Sequence, residues 1–212
     1  MSKCYIIAAG DMGELSPAPE KGDLIIAADA GYLHLERLGL KPDLLIGDFD
    51  SMEFVDPGCE ILRFPVEKDD TDTMLAVKAG LERGCRDFMI YGGLGGKRFD
   101  HSIANIQTLG YLNAHSARGV LVGVNENVAL FSDSAVRFPA EAEGTVSVFA
   151  VGGRASGVTI EGLFYCARDI ELDWAFPLAA CNKFTGRPAA VSVRSGTLAV
   201  VWEGRPDWLC FM

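Results

Sequence analysis

The chain has 212 residues, of which 49% are hydrophobic and 23% charged, a balance typical of a folded protein that buries a core. Its 19 lysines and arginines are outnumbered by 29 aspartates and glutamates, which gives a formal net charge of −10. Nucleic acids and anionic membranes require a basic face, so this charge excludes both classes of partner.

The apolar segments and the cysteines indicate the cellular compartment of the protein. The amino-terminal run MSKCYIIAAG is too short for a signal peptide, and no later apolar run reaches the length of a membrane span. The six cysteines are scattered, without a C-x-x-C pair. This usage predicts reduced thiols and a cytoplasmic protein.

The first part of the chain alternates short apolar runs with helical patterns. The runs predicted as strands are KCYIIAAG (3–10), DLIIAADA (23–30), DLLIGD (43–48), DFMIYGG (87–93) and GVLVGVN (119–125). The segments predicted as helices are 32–39, 71–84 and 99–116. Such alternation predicts an α/β fold with a Rossmann-like, mostly parallel sheet and helices on both faces.

The pattern of apolar residues in the sequence changes after Phe138 and Pro139. The following runs, such as TVSVFAV, GVTIEG and TLAVVWEG, are short, rich in β-branched residues and separated by turn residues, without a helical period. They predict a small antiparallel β-sandwich. We therefore expect two domains, 1–136 and 137–212.

Aspartates follow the predicted strands at the edge where open parallel sheets bind ligands. Asp29 ends one strand, Asp48 and Asp50 follow the next, and Asp72 begins a helix. Carboxylates held close together repel one another unless a cation lies among them. A Mg²⁺ ion held among these carboxylates satisfies this requirement. The alternative is that each aspartate caps a turn or helix, which suits Asp72 in a first helical turn.

A glycine-rich, basic segment follows the strand at 87–93. Its sequence, YGGLGGKRFDHSIAN, combines glycines that allow a close backbone approach with Lys97, Arg98 and a helix amino terminus, which favours phosphate. It matches neither the P-loop nor the dinucleotide fingerprint. His101 fits a general base or a structural hydrogen-bonding group, and the sequence leaves both open. Acid facing such a segment predicts a site for a metal-bound polyphosphate.

These segments together resemble the thiamine pyrophosphokinase (thiamine diphosphokinase) family. The resemblance rests on ADAGYLHLERLGLKPDLLIGDFDSM, FPVEKDDTDTMLAVKAGLERG and GGLGGKRFDHSIANI, in that order. It implies Mg²⁺-dependent transfer of the diphosphoryl group of ATP to the thiamine hydroxyl, giving thiamine diphosphate and AMP, in line and without a phosphoenzyme. It further implies that 1–136 binds ATP, that 137–212 binds thiamine, and that the protein is a homodimer with shared active sites.

The resemblance also assigns roles to individual residues. The catalytic set that it implies is Asp29, Asp48, Asp50, Asp72 and Asp100. Within this set, the resemblance implies that Asp48, Asp50 and Asp72 hold the Mg²⁺ ion. The nucleotide-binding set is Ser51, Lys68, Thr71, Gly93, Gly95, Arg98, His101 and Asn105. The thiamine-binding set is Cys181, Asn182 and Phe184. Asp70 is a weaker candidate, and either Asp72 or Asp100 could accept the hydroxyl proton.

Two positions depart from the family pattern and keep alternatives open. Ala30 follows Asp29 where the family more often has glycine, and Cys181 replaces the usual serine, a better hydrogen-bonding residue. One alternative is a diphosphokinase for another hydroxymethyl acceptor, such as a pterin. The other is a non-catalytic nucleotide sensor.

Overall fold

The computed structural model describes residues 2–48, 58–65, 67–96 and 98–212. The chain divides into two compact units, Met1–Val124 and Asn125–Met212. The predicted boundary lies later, after residue 136. The difference arises because the segment Glu126–Ser132 forms a strand that pairs antiparallel with Ser195–Glu203 of the second unit.

The first unit contains a six-stranded parallel sheet. Its strands are β1 (Lys3–Ile7), β2 (Leu24–Ala28), β3 (Leu44–Gly47), β4 (Glu60–Arg63), β5 (Asp87–Tyr91) and β6 (Arg118–Val122), and its helices are α1 (Tyr32–Leu38), α2 (Asp72–Glu82) and α3 (Phe99–Ala114). The strand order is β6-β5-β1-β2-β3-β4, and each neighbouring pair is parallel. The prediction of a mixed α/β fold with a mostly parallel sheet is confirmed. The edge strand β4 was not predicted.

Burial of the strands explains why their apolar runs are continuous. All four residues of β3 and four of the five in β1 are buried, so side chains on both faces of the sheet are excluded from water. Helix α2 packs on β1, β2 and β3, and α3 packs on β6. Because all neighbouring strands are parallel, their carboxyl ends meet at one edge of the sheet. Among the described helices, none is long and apolar enough to cross a membrane.

The second unit is built from antiparallel strands. They are β7 (Glu126–Ser132), β8 (Ala135–Phe138), β9 (Thr145–Glu161), β10 (Ala167–Leu172), β11 (Ala179–Lys183), β12 (Ala189–Ser192), β13 (Ser195–Glu203) and β14 (Cys210–Phe211). The 17-residue strand β9 pairs with β10, β11, β12 and β13. The sequence predicted two strands here, because Gly152, Gly153 and Gly157 interrupt the pattern. All three have positive φ, so they bend the strand without ending it.

Candidate active site

A cleft of about 760 Å³ opens in the first unit beyond the carboxyl ends of β1, β2, β3 and β5. Most residues of the predicted catalytic and nucleotide-binding sets line it. They are Asp29, Asp48, Lys68, Thr71, Asp72, Gly93, Gly95, Arg98, His101 and Asn105. The strand-end rule thus brings together side chains that are far apart in the sequence.

The remaining predicted residues fall into three groups. Asp50 and Ser51 fall outside the described residues, as does Lys97. Asp100 is described, but it does not line the cleft. Cys181, Asn182 and Phe184 belong to the second unit.

The turn after β2 holds Asp29 in an unusual backbone conformation. Asp29 has a φ of 49°, which aspartate tolerates better than most residues. Gly31 is buried in the same turn, against the carbonyl oxygen of Ile7, and a Cβ there would overlap that oxygen. The positive φ belongs to Asp29, so Ala30 is accommodated where the family more often has glycine. The position that excludes a side chain is Gly31.

The floor of the cleft is made by two main-chain turns in contact. The Gly10 amide donates to the carbonyl oxygen of Gly92 at 3.0 Å, and a Cβ on Gly10 would lie 2.5 Å from that oxygen. Gly92 has a φ of 66° and faces the carbonyl of Ala8. The carbonyl of Gly10 also bonds Nε2 of His34 at 3.0 Å, which fixes the turn to α1. No side chain fits between the two turns.

Sequence reasoning missed the contribution of β1 to the cleft. Ala8, Ala9, Gly10 and Asp11 line it, directly after the first strand. The signal was present, because β1 ends in a parallel sheet like β2 and β3 and so delivers its next residues to the same edge. This turn lacks the dinucleotide fingerprint, so no sequence motif marks it as part of a binding site.

Lys68 joins two of the predicted metal ligands. Its Nζ lies 3.1 Å from Oδ1 of Asp72 and 3.5 Å from Oδ2 of Asp48. The three side chains are 13%, 27% and 17% exposed, so the cluster is largely shielded from water. Burial alone would lower the pKa of Lys68, but hydrogen bonding and charge from Asp72 and Asp48 outweigh it and raise that pKa above its ordinary value. The ammonium therefore stays charged between the two carboxylates.

The start of α2 shows why Asp72 is available to Lys68. Thr71 is the N-cap residue, and its Oγ1 accepts a hydrogen bond from the Met74 amide at 3.2 Å. The neighbouring Asp70 is bound through both carboxylate oxygens to Nζ of Lys78, at 2.7 and 2.8 Å. Capping is thus performed by Thr71, and the carboxylate of Asp72 points to Lys68 instead.

Helix α3 holds the glycine-rich loop in place. The side-chain amide of Asn105 donates to the Gly93 carbonyl at 2.8 Å, and the Gly95 amide donates to Oγ of Ser102 at 3.0 Å. Asn105 and Ser102 are both buried, whereas His101 is exposed where it lines the cleft. Asn105 therefore shapes the loop from behind, and His101 faces the space in front of it.

Arg98 and Asp100 form an ion pair at the surface. Nε and Nη2 of Arg98 bind the two carboxylate oxygens of Asp100 at 3.0 and 2.7 Å. Their side chains are 67% and 63% exposed. The hydrogen bond from Arg98 lowers the pKa of Asp100 to about 2, so this carboxylate is a poor proton acceptor.

The donor atoms around Lys68 suit a hard divalent cation. Asp48 and Asp72 supply carboxylate oxygens on two sides of one positive group, and such oxygens are the ligands that Mg²⁺ prefers. Within the described part of the chain, no three histidine, cysteine, aspartate or glutamate side chains lie close enough to hold a metal. The third predicted ligand, Asp50, is outside that part.

The predicted thiamine-binding residues lie at and after the end of β11. Cys181 is exposed with a φ of 58°, and its amide donates to Oγ of Ser147 at 3.0 Å. Asn182 is only 2% exposed: its Oδ1 accepts from the amides of Tyr165 and Lys183, and its Nδ2 donates to the Tyr165 carbonyl. The side chain of Asn182 thus fixes the turn that carries Tyr165.

Phe184 packs within the second unit. Its ring lies 5.0 Å from the ring of buried Phe138, centroid to centroid, and Phe138 contacts Trp202 in turn. Phe184 remains partly exposed, so part of its side chain is accessible to solvent.

Comparison with known proteins identifies the family of this chain. Residues 17–121 match the family model "Thiamin pyrophosphokinase, catalytic domain", and residues 134–198 match "Thiamin pyrophosphokinase, vitamin B1 binding domain". The chain belongs to the thiamin pyrophosphokinase family. The predicted family, and with it the class of diphosphotransferase enzymes, is confirmed.

Relatives of the thiamin pyrophosphokinase family agree with this assignment. The chain is 32% identical over 120 residues to the thiamine pyrophosphokinase of Bacillus subtilis (strain 168), a match that covers 51% of this chain and 55% of that protein. The match thus spans about half the length of the curated relative.

Solved structures of the family share the fold. The crystal structure of thiamine pyrophosphokinase from Bacillus subtilis superposes with a TM-score of 0.87 at 22% identity, covering 95% of this chain and 99% of that one. The thiamin pyrophosphokinase family protein from Enterococcus faecalis superposes with a TM-score of 0.80 at 26% identity, covering 96% and 99%. The arrangement of elements described above is therefore that of the family.

Proposed function

We propose that this protein transfers the diphosphoryl group of ATP to the hydroxyl of thiamine, giving thiamine diphosphate and AMP. The observation that carries the proposal is the cleft in the first unit, where acid from β2, β3 and α2 faces a glycine loop and a helix amino terminus. A polyphosphate chelated by a divalent cation requires both sides of such a cleft.

The two sides of the cleft divide the binding of ATP between them. The Gly93 amide, together with Arg98 and Lys68, binds the phosphate oxygens, while Ser51, Thr71, Gly95 and His101 line the nucleotide. Asp48, Asp50 and Asp72 hold a divalent cation, which we propose to be Mg²⁺. When bound, the cation neutralises charge on the phosphates and draws them to the strand ends.

In the reaction, the thiamine hydroxyl oxygen attacks the β-phosphorus of ATP. A new oxygen–phosphorus bond forms while the bond from the β-phosphorus to its bridge to the α-phosphate breaks, and AMP leaves with the bridging oxygen. The hydroxyl proton passes to Asp72, which lines the cleft, rather than to Asp100, whose pKa is low and which lies outside it. Fixed charges and positioning supply the rate enhancement, so no phosphoenzyme is needed.

Thiamine is bound by the second unit in this proposal. Its exposed aromatic side chains, among them Tyr165 and Trp174 at 65% and 66%, suit a flat cationic ring. Cys181 and Phe184 contact the ligand, while Asn182 fixes the turn that presents Tyr165. We further propose that the antiparallel strands pack as a β-sandwich, and that the protein is a cytoplasmic homodimer with shared active sites.

An assay of the purified protein tests this function. Incubation with ATP, Mg²⁺ and thiamine should give equal amounts of AMP and thiamine diphosphate, measured by chromatography, and chelation of the metal should abolish both. Replacing thiamine with a hydroxymethylpterin should give neither product. AMP release with the pterin but not with thiamine would overturn the assignment of thiamine as the acceptor. ATP binding measured by calorimetry, without turnover on either acceptor, would identify a nucleotide sensor instead.

A further inference from the structure

The ammonium of Lys68 is bound by both carboxylates. It forms an ion pair with Oδ1 of Asp72 at 3.1 Å, and it donates hydrogen bonds to the Pro65 carbonyl at 3.3 Å and to Oδ2 of Asp48 at 3.5 Å. Oδ1 of Asp72 is buried and accepts no hydrogen bond from the described residues, so charge alone joins it to Lys68.

The proposed cation and Lys68 require the same oxygens. Asp48 and Asp72 are the two described members of the proposed metal site, and both are bound to Lys68. A divalent ion at these carboxylates would lie close to the ammonium in a largely shielded environment, where like charges repel strongly. The two positive groups therefore compete for the same two carboxylates.

Lys78 offers a useful contrast a few residues away. It also binds an aspartate of the segment before α2, with Nζ 2.7 Å from Oδ2 of Asp70. Its side chain is 37% exposed, and the carboxylate that it binds is that of Asp70 rather than Asp48 or Asp72. Lys78 shares the chemistry of Lys68 but not its position between the proposed ligands.

We propose that Lys68 is an exchangeable cation that couples metal binding to nucleotide binding. A divalent ion takes Asp48 and Asp72 from Lys68, and the released ammonium passes to a phosphate oxygen of the nucleotide. Lys68 thereby weakens the binding of metal alone and strengthens the binding of the metal–nucleotide pair. This role of Lys68 rests on the function proposed above, since it assumes that the cleft binds both ligands.

Reciprocity makes the coupling measurable from either ligand. If Lys68 binds a phosphate oxygen of the nucleotide, the two carboxylates become available to the metal. The nucleotide must then raise the affinity for metal by the same factor by which the metal raises the affinity for nucleotide. Without the charge at position 68, metal alone should bind more tightly, and this mutual enhancement should shrink.

The test is a comparison of Lys68→Met with Lys78→Met. Mn²⁺ binding is measured by electron paramagnetic resonance, with and without a non-hydrolysable ATP analogue. In Lys68→Met, we expect Mn²⁺ alone to bind about tenfold more tightly, and the enhancement by the analogue to fall by a similar factor. In Lys78→Met, both quantities should stay at the wild-type values. Circular dichroism and thermal melting confirm that each variant is folded.

The outcomes separate this inference from the proposed function. Unchanged or weaker binding of Mn²⁺ alone by folded Lys68→Met would overturn the exchange, even if the wild-type protein makes thiamine diphosphate. Conversely, a wild-type protein that transfers nothing to thiamine would overturn the proposed function, while the response of Mn²⁺ affinity to Lys68→Met would still support the exchange. An equal response in Lys78→Met would show only a general effect of charge, and would also overturn it.

Discussion

Two pairings of base with acid beside the cleft of the first unit differ in their exposure to water. Lys68 lies between Asp48 and Asp72 with 13% of its side chain exposed, whereas Arg98 binds Asp100 with 67% of its side chain exposed. An exposed pair contributes little to stability and exchanges partners easily. In a shielded cluster, a charge can leave its partner only when another charge replaces it, because an uncompensated buried charge is costly. The ion-pair distances of the two pairings all lie between 2.7 and 3.5 Å, so burial rather than distance decides how strongly each pairing affects activity and stability.

Removing a carboxylate from the shielded cluster should have the largest effect. In Asp48→Asn, we expect the rate of thiamine diphosphate formation to fall by about 10³-fold, because a proposed metal ligand and a partner of Lys68 are lost together. Steady-state kinetics over a range of Mg²⁺ concentrations measures this.

Asp87→Asn is the matched control for Asp48→Asn. Asp87 also pairs with a basic residue, Arg118, but it begins β5 at the opposite edge of the sheet. Its rate should stay within about twofold of wild type, as surface charges of this kind contribute little. Near-normal turnover by Asp48→Asn would remove this residue from the metal site.

Loss of the buried support behind the glycine-rich loop that precedes the exposed pair should have the next largest effect. In Asn105→Ala, the Gly93 carbonyl loses its buried partner, so we expect the free energy of unfolding to fall by about 1–3 kcal/mol. Chemical denaturation measures the change. Gln107→Ala, an exposed position on the same helix, should cost less than about 0.5 kcal/mol. Equal losses in the two variants would show that Asn105 does not fix the loop.

Breaking the exposed pair itself should have a smaller effect. In Arg98→Gln, we expect the KM for ATP to rise about tenfold at most, with kcat and thermal stability nearly unchanged. The guanidinium exchanges its ion pair with Asp100 for one with phosphate, so the net gain in binding free energy is small. Steady-state kinetics with ATP varied measures this. A loss in kcat as large as that of Asp48→Asn would contradict the distinction between the pairs.

The smallest effect is a change in the titration of Asp100. Arg98 lowers the pKa of this carboxyl to about 2 from an ordinary value of 3.8, so the ion pair is complete above about pH 4 and is lost as the pH falls through 2. In Arg98→Gln, the pKa of Asp100 should return toward its ordinary value. Carbon-detected NMR of the aspartate carboxyl groups follows this. An unmoved pKa would assign the shift to something other than Arg98.

The sequence predicted the parallel sheet better than the antiparallel unit, for physical reasons. Strands such as β1 and β3 are buried on both faces, so their apolar runs are unbroken and easily recognised. The edge strand β4 is partly exposed and only four residues long, which leaves no such run. In the second unit, glycines bend β9 without ending it, and a pattern of side chains cannot distinguish a bend from a turn.

The candidate site was predicted where residue type and strand end coincide. Asp29 and Asp48 met both conditions, and both line the cleft. Asp100 met only the first, since it follows a loop whose path the sequence does not fix. The amide of Asn182 illustrates a further limit: the sequence shows that a polar group is present, but only the fold shows that backbone groups occupy it.

The contact between the turns at Gly10 and Gly92 has a consequence for variation in this protein. Where two stretches of main chain touch, the cavity wall consists of peptide groups. A substitution cannot change a peptide group, and it adds a side chain for which there is no space. A complete single-substitution library selected for activity should therefore show Gly10, Gly31 and Gly92 as positions that accept no replacement. The charged residues around them would tolerate graded losses, so the least adaptable part of the pocket is the part that carries no side chains.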